Sequence, residues 1–408
     1  DKIQELLSKI NEKELIRKKK GVYYTPSDLV EFIVKSSFKS MFGKLKENNI
    51  NELEVSSLPY KTMCTQKKVL DPTCGAGEFL LATLEMKYKI WSTHTVVTEK
   101  KAIEILSTVY GNDVNKESVI ITQLRLLLCV LKWCPTVSLE SVTDILLRNF
   151  TAFDFVSQDG VVTGKYHVII GNPPYVEDSK CGLKLQTRYG NIYANVLIHS
   201  SNLLEKNGAM GFVIPLSYIS TPRMNRLRSD LFITLPEQFV LNYADRFDSV
   251  HQKLCVLIAK NRKASKKVFT SKYQYWYKDE RNQLFSNIQV IKNNISMDKI
   301  IPKLGNRIDL EIFSKIINCN RNVSVYEVSR EGTEVVCLNR RETFWMKAYR
   351  TTVDDPEYKV FKFHSESEAD YCYCLINSSL FWWYWIAVSD CWHVSKDLNG
   401  FMAPFLFD

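Results

Sequence analysis

Four consecutive residues, Asn172-Pro173-Pro174-Tyr175, combine groups that could act on a planar amine. The asparagine brings an amide oxygen, the two prolines fix a stiff turn, and the tyrosine brings an aromatic face. An amino group could donate to the amide oxygen and to a turn carbonyl while the ring that carries it stacks on the tyrosine. The turn follows Tyr166-His167-Val168-Ile169-Ile170-Gly171, whose aromatic and β-branched residues predict a buried strand over 166–170. Two prolines in succession end that strand, because they remove two backbone donors and fix two φ angles. A rigid loop at the carboxyl end of a strand is where open α/β sheets keep their sites.

A second constellation lies about a hundred residues earlier. Residues 68–70 predict a short strand that runs into Asp71-Pro72-Thr73-Cys74-Gly75-Ala76-Gly77-Glu78-Phe79-Leu80, and 80–87 predict a helix. Gly75 and Gly77 permit a tight strand-to-helix turn and leave room for a ligand against the main chain. The helix start presents unpaired N–H groups and the positive end of the dipole, which suits a carboxylate. The full Gly-x-Gly-x-x-Gly of dinucleotide folds is absent. Residues 109–113 predict the next strand, ending in Asp113, an acid able to accept both hydroxyl protons of a ribose. An apolar helix is expected over 118–131. Asp154-Phe155 supply a further acid and aromatic before the proline turn. Upstream, Thr25-Pro26-Ser27-Asp28 reads as a helix start, with Thr25 as N-cap, Pro26 in the first turn and Asp28 at the capping-box position.

Asn172-Pro173-Pro174-Tyr175 resembles the catalytic motif of S-adenosylmethionine-dependent amino-methyltransferases, above all the DNA adenine N6 enzymes. Asp-Pro-x-Cys-Gly-x-Gly-x-Phe over 71–79 is similar to their cofactor turn, and Gly21-Val22-Tyr23-Tyr24-Thr25-Pro26 to their first motif. The motif order resembles the gamma class, and the likeness covers roughly residues 20–260. It implies an α/β fold, a Rossmann-like doubly wound methyltransferase sheet, followed by a C-terminal mixed α+β target-recognition domain. The implied cofactor is S-adenosylmethionine. Tyr24, Thr25 and Pro26 would lie against its methionine end, and Asp71, Pro72, Cys74, Gly75, Gly77 and Phe79 would form the turn around it. Asp113 would take the ribose, Asp154 and Phe155 the adenine, and Asn172 would border the methyl donor. In catalysis the resemblance gives Asn172 and Pro173 the target amine and Pro174 the stiffness of the turn. Tyr175 and Phe247, the latter on a turn between two later strands, would clasp a flipped-out adenine from its two faces.

The elements that must position these groups follow from the rest of the chain. It has 408 residues, 45% of them hydrophobic, enough for a large core and two domains. The expected division is a basic N-terminal helix over 1–20, a methyltransferase domain over 21–262 and a DNA target-recognition domain over 263–408, with the basic stretch 261–267 as the boundary. A net charge of +9 favours an anionic partner. Basic and aromatic residues interleave at 272–281 and 339–347, as suits double-stranded DNA. A restriction nuclease or another defence protein is the further partner expected. Eleven cysteines without Cys-x-x-Cys spacing indicate neither a zinc site nor a disulfide framework, and no metal is called for. The most apolar run, 380–388, is too short to span a bilayer, and no signal peptide is evident, so a cytoplasmic, nucleoid-associated enzyme is expected. The chain begins at Asp1 rather than Met, which leaves room for a preceding segment.

Other expected elements are a mobile loop over 176–191, a helix over 193–205 capped by Gly208, strands at 211–215, 239–242 and 254–259, and helices opening at Ser365 and over 380–388. Two other functions fit related motifs. One is N-methylation of a protein glutamine or of ribosomal RNA, and the other is a non-catalytic DNA-recognition subunit.

Overall fold

The computed structural model describes residues 25–47, 50, 54–157, 162–185, 187–242, 253–275, 278–295, 299–318, 332–341 and 345–394. Tyr24, Phe247 and the helix expected over 1–20 lie outside the described residues.

The strands are β1 (Val69–Asp71), β2 (Val109–Asp113), β3 (Phe150–Ala152), β4 (Tyr166–Gly171), β5 (Leu204–Pro215), β6 (Glu237–Asn242), β7 (Leu254–Lys260), β8 (Lys267–Ser271) and β9 (Val290–Lys292). Among the described residues they form one sheet in the order β3-β2-β1-β4-β5-β7-β6-β8-β9. β1 to β5 pair in parallel, and β7 runs antiparallel between β5 and β6. Every residue of β7 is buried, as expected of a strand covered on both faces.

Helices cover both faces, so the sheet is doubly wound. On one face lie α1 (Ser27–Met41), α2 (Glu78–Ser92), α3 (Glu99–Leu106), α4 (Lys116–Trp133) and α5 (Leu139–Asn149). On the other lie α6 (Ile192–Leu203) and α7 (Asn225–Thr234). The helix that starts at Thr25-Pro26 forms where its apolar spacing predicts, but Thr25 does not cap it. Pro26 is the N-cap and no side chain caps the helix. The expected C-cap at Gly208 also differs. α6 passes directly into β5 at Leu204, so Gly208 sits inside a strand. Its role there is close approach, because an added Cβ would lie 2.9 Å from the Glu205 carbonyl and 3.0 Å from that of His167.

The sheet runs on past residue 262. β8 pairs in parallel with β6, and β9 pairs antiparallel with β8. The division expected at 262/263 thus falls inside a hydrogen-bonded sheet. The basic stretch is a tight connection rather than a linker, with Arg262 paired to Glu237 at 2.9 Å and Phe269 stacked on Phe239 at 4.3 Å. A separate core begins at Leu304. It joins α8 (Arg307–Ile317), α9 (Glu366–Ile376) and α10 (Ser379–Val388) to a three-stranded antiparallel sheet of β10 (Glu334–Asn339), β11 (Ala348–Tyr349) and β12 (Tyr358–Phe363). The capping box read at Ser365 is present, with Glu368 as its return partner. Among the described residues no helix is long and apolar enough to cross a membrane.

One charge is buried in the first core. Lys87 of α2 is 0% exposed, and its ammonium donates to the Lys67 carbonyl at 2.8 Å and the Thr108 hydroxyl at 2.6 Å. Burial pushes its pKa down to about 7 from an ordinary 10.5. Between those values the unfolded chain holds a proton that the folded chain lacks, so stability rises with pH across that window. Below it both states are charged, and the full cost of the buried ion is present. Lys87→Met should therefore gain most relative to wild type near pH 6 and lose that relative gain towards pH 10. Thermal melts of both proteins across this range check it, and a pH-independent difference would contradict it.

Candidate active site

The chain order reverses between β1 and β4. From β1 it moves outward to β2 and β3, then returns to β4 on the other side of β1. In open α/β sheets such a switch point opens a crevice at the carboxyl ends of the strands. β1 and β4 are in register there, with Leu70 opposite Ile169, so Asp71 and Gly171-Asn172 end side by side. Asp71 is 1% exposed and accepts a hydrogen bond from the Thr73 N–H at 3.1 Å. A Cβ on Gly171 would lie 2.7 Å from Asp71 Oδ1, so only glycine leaves space for that carboxyl. Burial raises the Asp71 pKa well above the usual carboxylate range; the Thr73 N–H opposes this and the charge of Asp113 adds to it.

The glycine turn is held from behind. Gly77 has φ 84°, and a Cβ there would lie 2.7 Å from Thr122 Cγ2, so both conformation and space demand glycine. Thr122 of α4 donates to the Gly75 carbonyl at 2.8 Å. Arg125 of the same helix donates to the Ala76 carbonyl and pairs with Glu78 at 2.8 Å. On the front, the N–H of Gly75 donates to Asp113 Oδ2 at 2.8 Å and that of Asn115 to Oδ1 at 2.9 Å. Asp113 thus sits at the tip of β2 against the turn, as its place in the sequence implied. Cys74 and Phe79 are buried beneath.

Asn112, to which the sequence pointed for nothing, joins three loops. Its amide nitrogen donates to the carbonyls of Pro72 and Phe153, each at 3.1 Å, and its oxygen accepts from the Thr151 hydroxyl at 3.0 Å. This ties the glycine turn to the segment carrying Asp154, whose Oδ1 accepts from the Val156 N–H at 3.0 Å. Phe155 is buried below it. Asn112, Gly171, Thr122 and Arg125 are the positioning residues that sequence reasoning passed over. Each works through a partner dozens of residues away, which local spacing does not reveal.

In the proline turn Pro173 is buried, and Asn172, Pro174 and Tyr175 are half-buried. Asn172 Nδ2 donates to Thr25 Oγ1 at 3.0 Å. Asn172 Oδ1 accepts from the Tyr175 hydroxyl, which also lies 3.2 Å from the Val213 carbonyl. The loop that follows is closed at its base. Asp178 Oδ2 accepts from the Gly190 N–H at 2.6 Å, and the Tyr189 hydroxyl donates to Asp230 of α7 at 2.7 Å.

The described site residues thus gather along one crevice at the strand tips. Their fit to a nucleoside cofactor rests on the donor set: Asp71, Asp113 and Asp154 at successive strand ends, the start of α2, and Thr73 Oγ1, which is buried there without a hydrogen-bond partner among the described residues. These groups suit a ligand with a cationic centre, hydroxyls and an amino group.

Comparison with known proteins agrees with this geometry. Residues 107–235 match the family model of the Eco57I restriction-modification methylase. Over 181 residues the chain is 26% identical to RM.MjaORFECS2P of Methanocaldococcus jannaschii, a protein bearing the name of a type II restriction enzyme and methyltransferase. Over 200 residues it is 23% identical to the adenine-specific methyltransferase PglX of Streptomyces coelicolor. These alignments take in 41% and 40% of this chain but only 15% of either relative's length. Among solved structures, the Type IIL restriction-modification enzyme MmeI in complex with DNA superposes with a TM-score of 0.60 at 12% identity, over 97% of this chain and 70% of that one. A DrdV–DNA complex superposes with a TM-score of 0.54 at 14% identity, over 72% and 33%. The fold is that of a Rossmann-like methyltransferase, α/β with a C-terminal mixed α+β unit. Within it, residues 107–235 carry the pattern of a restriction-modification methylase.

Two outcomes test the crevice itself. Gly171→Ala should destabilise the fold by about 1–3 kcal/mol, the usual cost of overpacking, because the methyl meets the Asp71 carboxyl. Denaturant titration reads this, and an unchanged midpoint would contradict it. Asp71 has its folded pKa raised, so the folded state favours its protonated form, and its charge costs stability as pH rises above the ordinary carboxylate value. Asp71→Asn should then melt higher than wild type at pH 7, with the difference shrinking as pH falls towards 4. A difference that grows on acidification would invert this account.

Proposed function

We propose that the chain is a site-specific DNA adenine N6-methyltransferase of a restriction-modification or phage-defence system, with S-adenosylmethionine as methyl donor. The observation that carries this reading is the abutment of Asp71 and the Gly171-Asn172 turn across the β1–β4 crevice, which brings a nucleoside-suited pocket and an amine-suited turn together. When bound, S-adenosylmethionine supplies an electrophilic methyl group. Asp113 would hold the ribose hydroxyls, Asp154 the adenine amino group, and the start of α2 the carboxylate.

For the target, Asn172 Oδ1 and the Pro173 carbonyl would accept the two amino protons. The N6 lone pair is otherwise delocalised into the ring. Holding both protons favours a more tetrahedral nitrogen, with its lone pair aimed at the methyl group. Positioning and accepting dipoles then supply much of the rate. A duplex adenine is unreachable in the stack, so it must flip out. Tyr175 would take one face of the base, with Phe247, outside the described residues, as the proposed second face. The α+β unit from Leu304 onward, which exposes Trp345, is proposed to read the target sequence, and +9 overall charge supports binding to a polyanion.

The test incubates the whole chain with labelled S-adenosylmethionine and mixed-sequence duplex DNA, then maps the modified bases. Label at adenine N6 within one sequence is expected. Asn172→Ala should cut turnover by at least roughly a hundredfold, the scale of a lost transition-state acceptor, with cofactor affinity nearly intact. Label on RNA or protein alone, or turnover of the variant within tenfold of wild type, would overturn the reading.

A further inference from the structure

Thr25 stands in a sequence built to cap a helix, Thr-Pro-Ser-Asp, yet the helix it precedes has no side-chain cap. Its hydroxyl is spent 147 residues away, on Asn172. Thr25 is 4% exposed, and among the described residues Asn172 is its hydrogen-bond partner. The 3.0 Å separation matches the usual N–H···O length and exceeds the ordinary O–H···O length, so the amide nitrogen is the donor and Thr25 the acceptor. With Nδ2 held there, the amide oxygen is turned the other way, where the Tyr175 hydroxyl donates to it.

An asparagine amide is chemically two-ended. Its oxygen attracts an incoming amine and its NH2 repels one, and a half-turn about the last bond exchanges them. A residue that must accept protons from a target amine therefore needs something to fix which end faces out. We propose that Thr25 is this positioning residue: its buried hydroxyl holds the amide nitrogen and so commits the oxygen of Asn172 to the target. This rests on the reading of Asn172 as the acceptor of the target amine, and it gives Thr25 a task other than contact with the methionine end of the cofactor.

A double-mutant cycle in the whole chain tests it, with turnover on DNA and cofactor affinity both measured. Thr25→Val keeps the shape and removes the hydroxyl, and Thr25→Ser keeps the hydroxyl. Asn172→Asp replaces the two-ended amide by a carboxylate with two equivalent oxygens, which has no wrong orientation. Thr25→Val should lower kcat on the order of tenfold, the effect of one lost hydrogen bond, with unchanged cofactor affinity and melting temperature. Thr25→Ser should stay near wild type. In the Asn172→Asp background, Thr25→Val should cost little further. Equal losses in both backgrounds, or a parallel loss of cofactor affinity, would show that the hydroxyl serves the cofactor and would overturn the proposal. Should Asn172→Asp be inactive, the single variants decide: wild-type kcat in Thr25→Val, or failure of Thr25→Ser to restore it, sinks the idea. A wild-type chain that methylates no nucleic acid removes the functional reading beneath it as well.

Discussion

The close approach of β4 to β1 is the contact on which the site depends. β1 is three residues long and lies between β2 and β4, so its last residue, Asp71, has nowhere to place a carboxyl except against β4. Gly171 makes that possible by having no side chain. Once seated, Asp71 takes the Thr73 N–H and begins the turn that Gly75 and Gly77 complete. α4 then closes the turn from behind through Thr122 and Arg125. The pocket is thus built outward from the centre of the sheet, and its most buried charge-bearing group lies at its root.

Asn112 gives the crevice its rigidity. A buried amide left unpaired costs roughly 1–3 kcal/mol, so a side chain that finds three partners is held in one geometry. Two of those partners are carbonyls in the loops that follow β1 and β3. The Cys74 N–H returns to the Asn112 carbonyl at 2.8 Å, which ties the same two strand tips through the main chain. Asp71, Asp113 and Asp154 therefore share one frame. A bound nucleoside would meet them without waiting for separate loops to order, which limits the entropy lost on binding.

Much of this was legible in the sequence because the relevant rules are local. β2 runs from Val109 to Asp113 as its residues predict, and the glycine turn and proline turn end their strands as glycine and proline must. What was not legible depends on distant partners. Gly208 reads as a helix cap in isolation, yet β4 draws the chain into the sheet at Leu204. The basic stretch at 261–267 reads as a linker, yet Glu237 and Phe239 wait for its neighbours across β6. Thr25 reads as an N-cap, yet a stronger claim on its hydroxyl comes from Asn172. In each case a local preference worth about 1 kcal/mol yields to a tertiary contact in a buried setting. Phe247, read as a second aromatic for the base, lies outside the described residues.

The state of Asn172 bears on how such a site would select its target. In the chain alone both ends of its amide are engaged, by Thr25 and by Tyr175. If Asn172 takes an amine, as proposed, part of what it offers is already in use by the Tyr175 hydroxyl, which has the Val213 carbonyl beside it as an alternative acceptor. Binding would then exchange one hydrogen bond for another, and such exchanges are worth only about 0.5–1.5 kcal/mol net. Affinity would have to come from elsewhere: stacking on the freed ring, worth roughly 1–3 kcal/mol per base, and backbone contacts on DNA. The amide itself would contribute discrimination. A ring bearing a carbonyl in place of the amine would bring acceptor against acceptor, leave the oxygen of Asn172 unpaired in a half-buried turn, and lose more than the amine gains. A site of this kind rejects the wrong base more strongly than it attracts the right one.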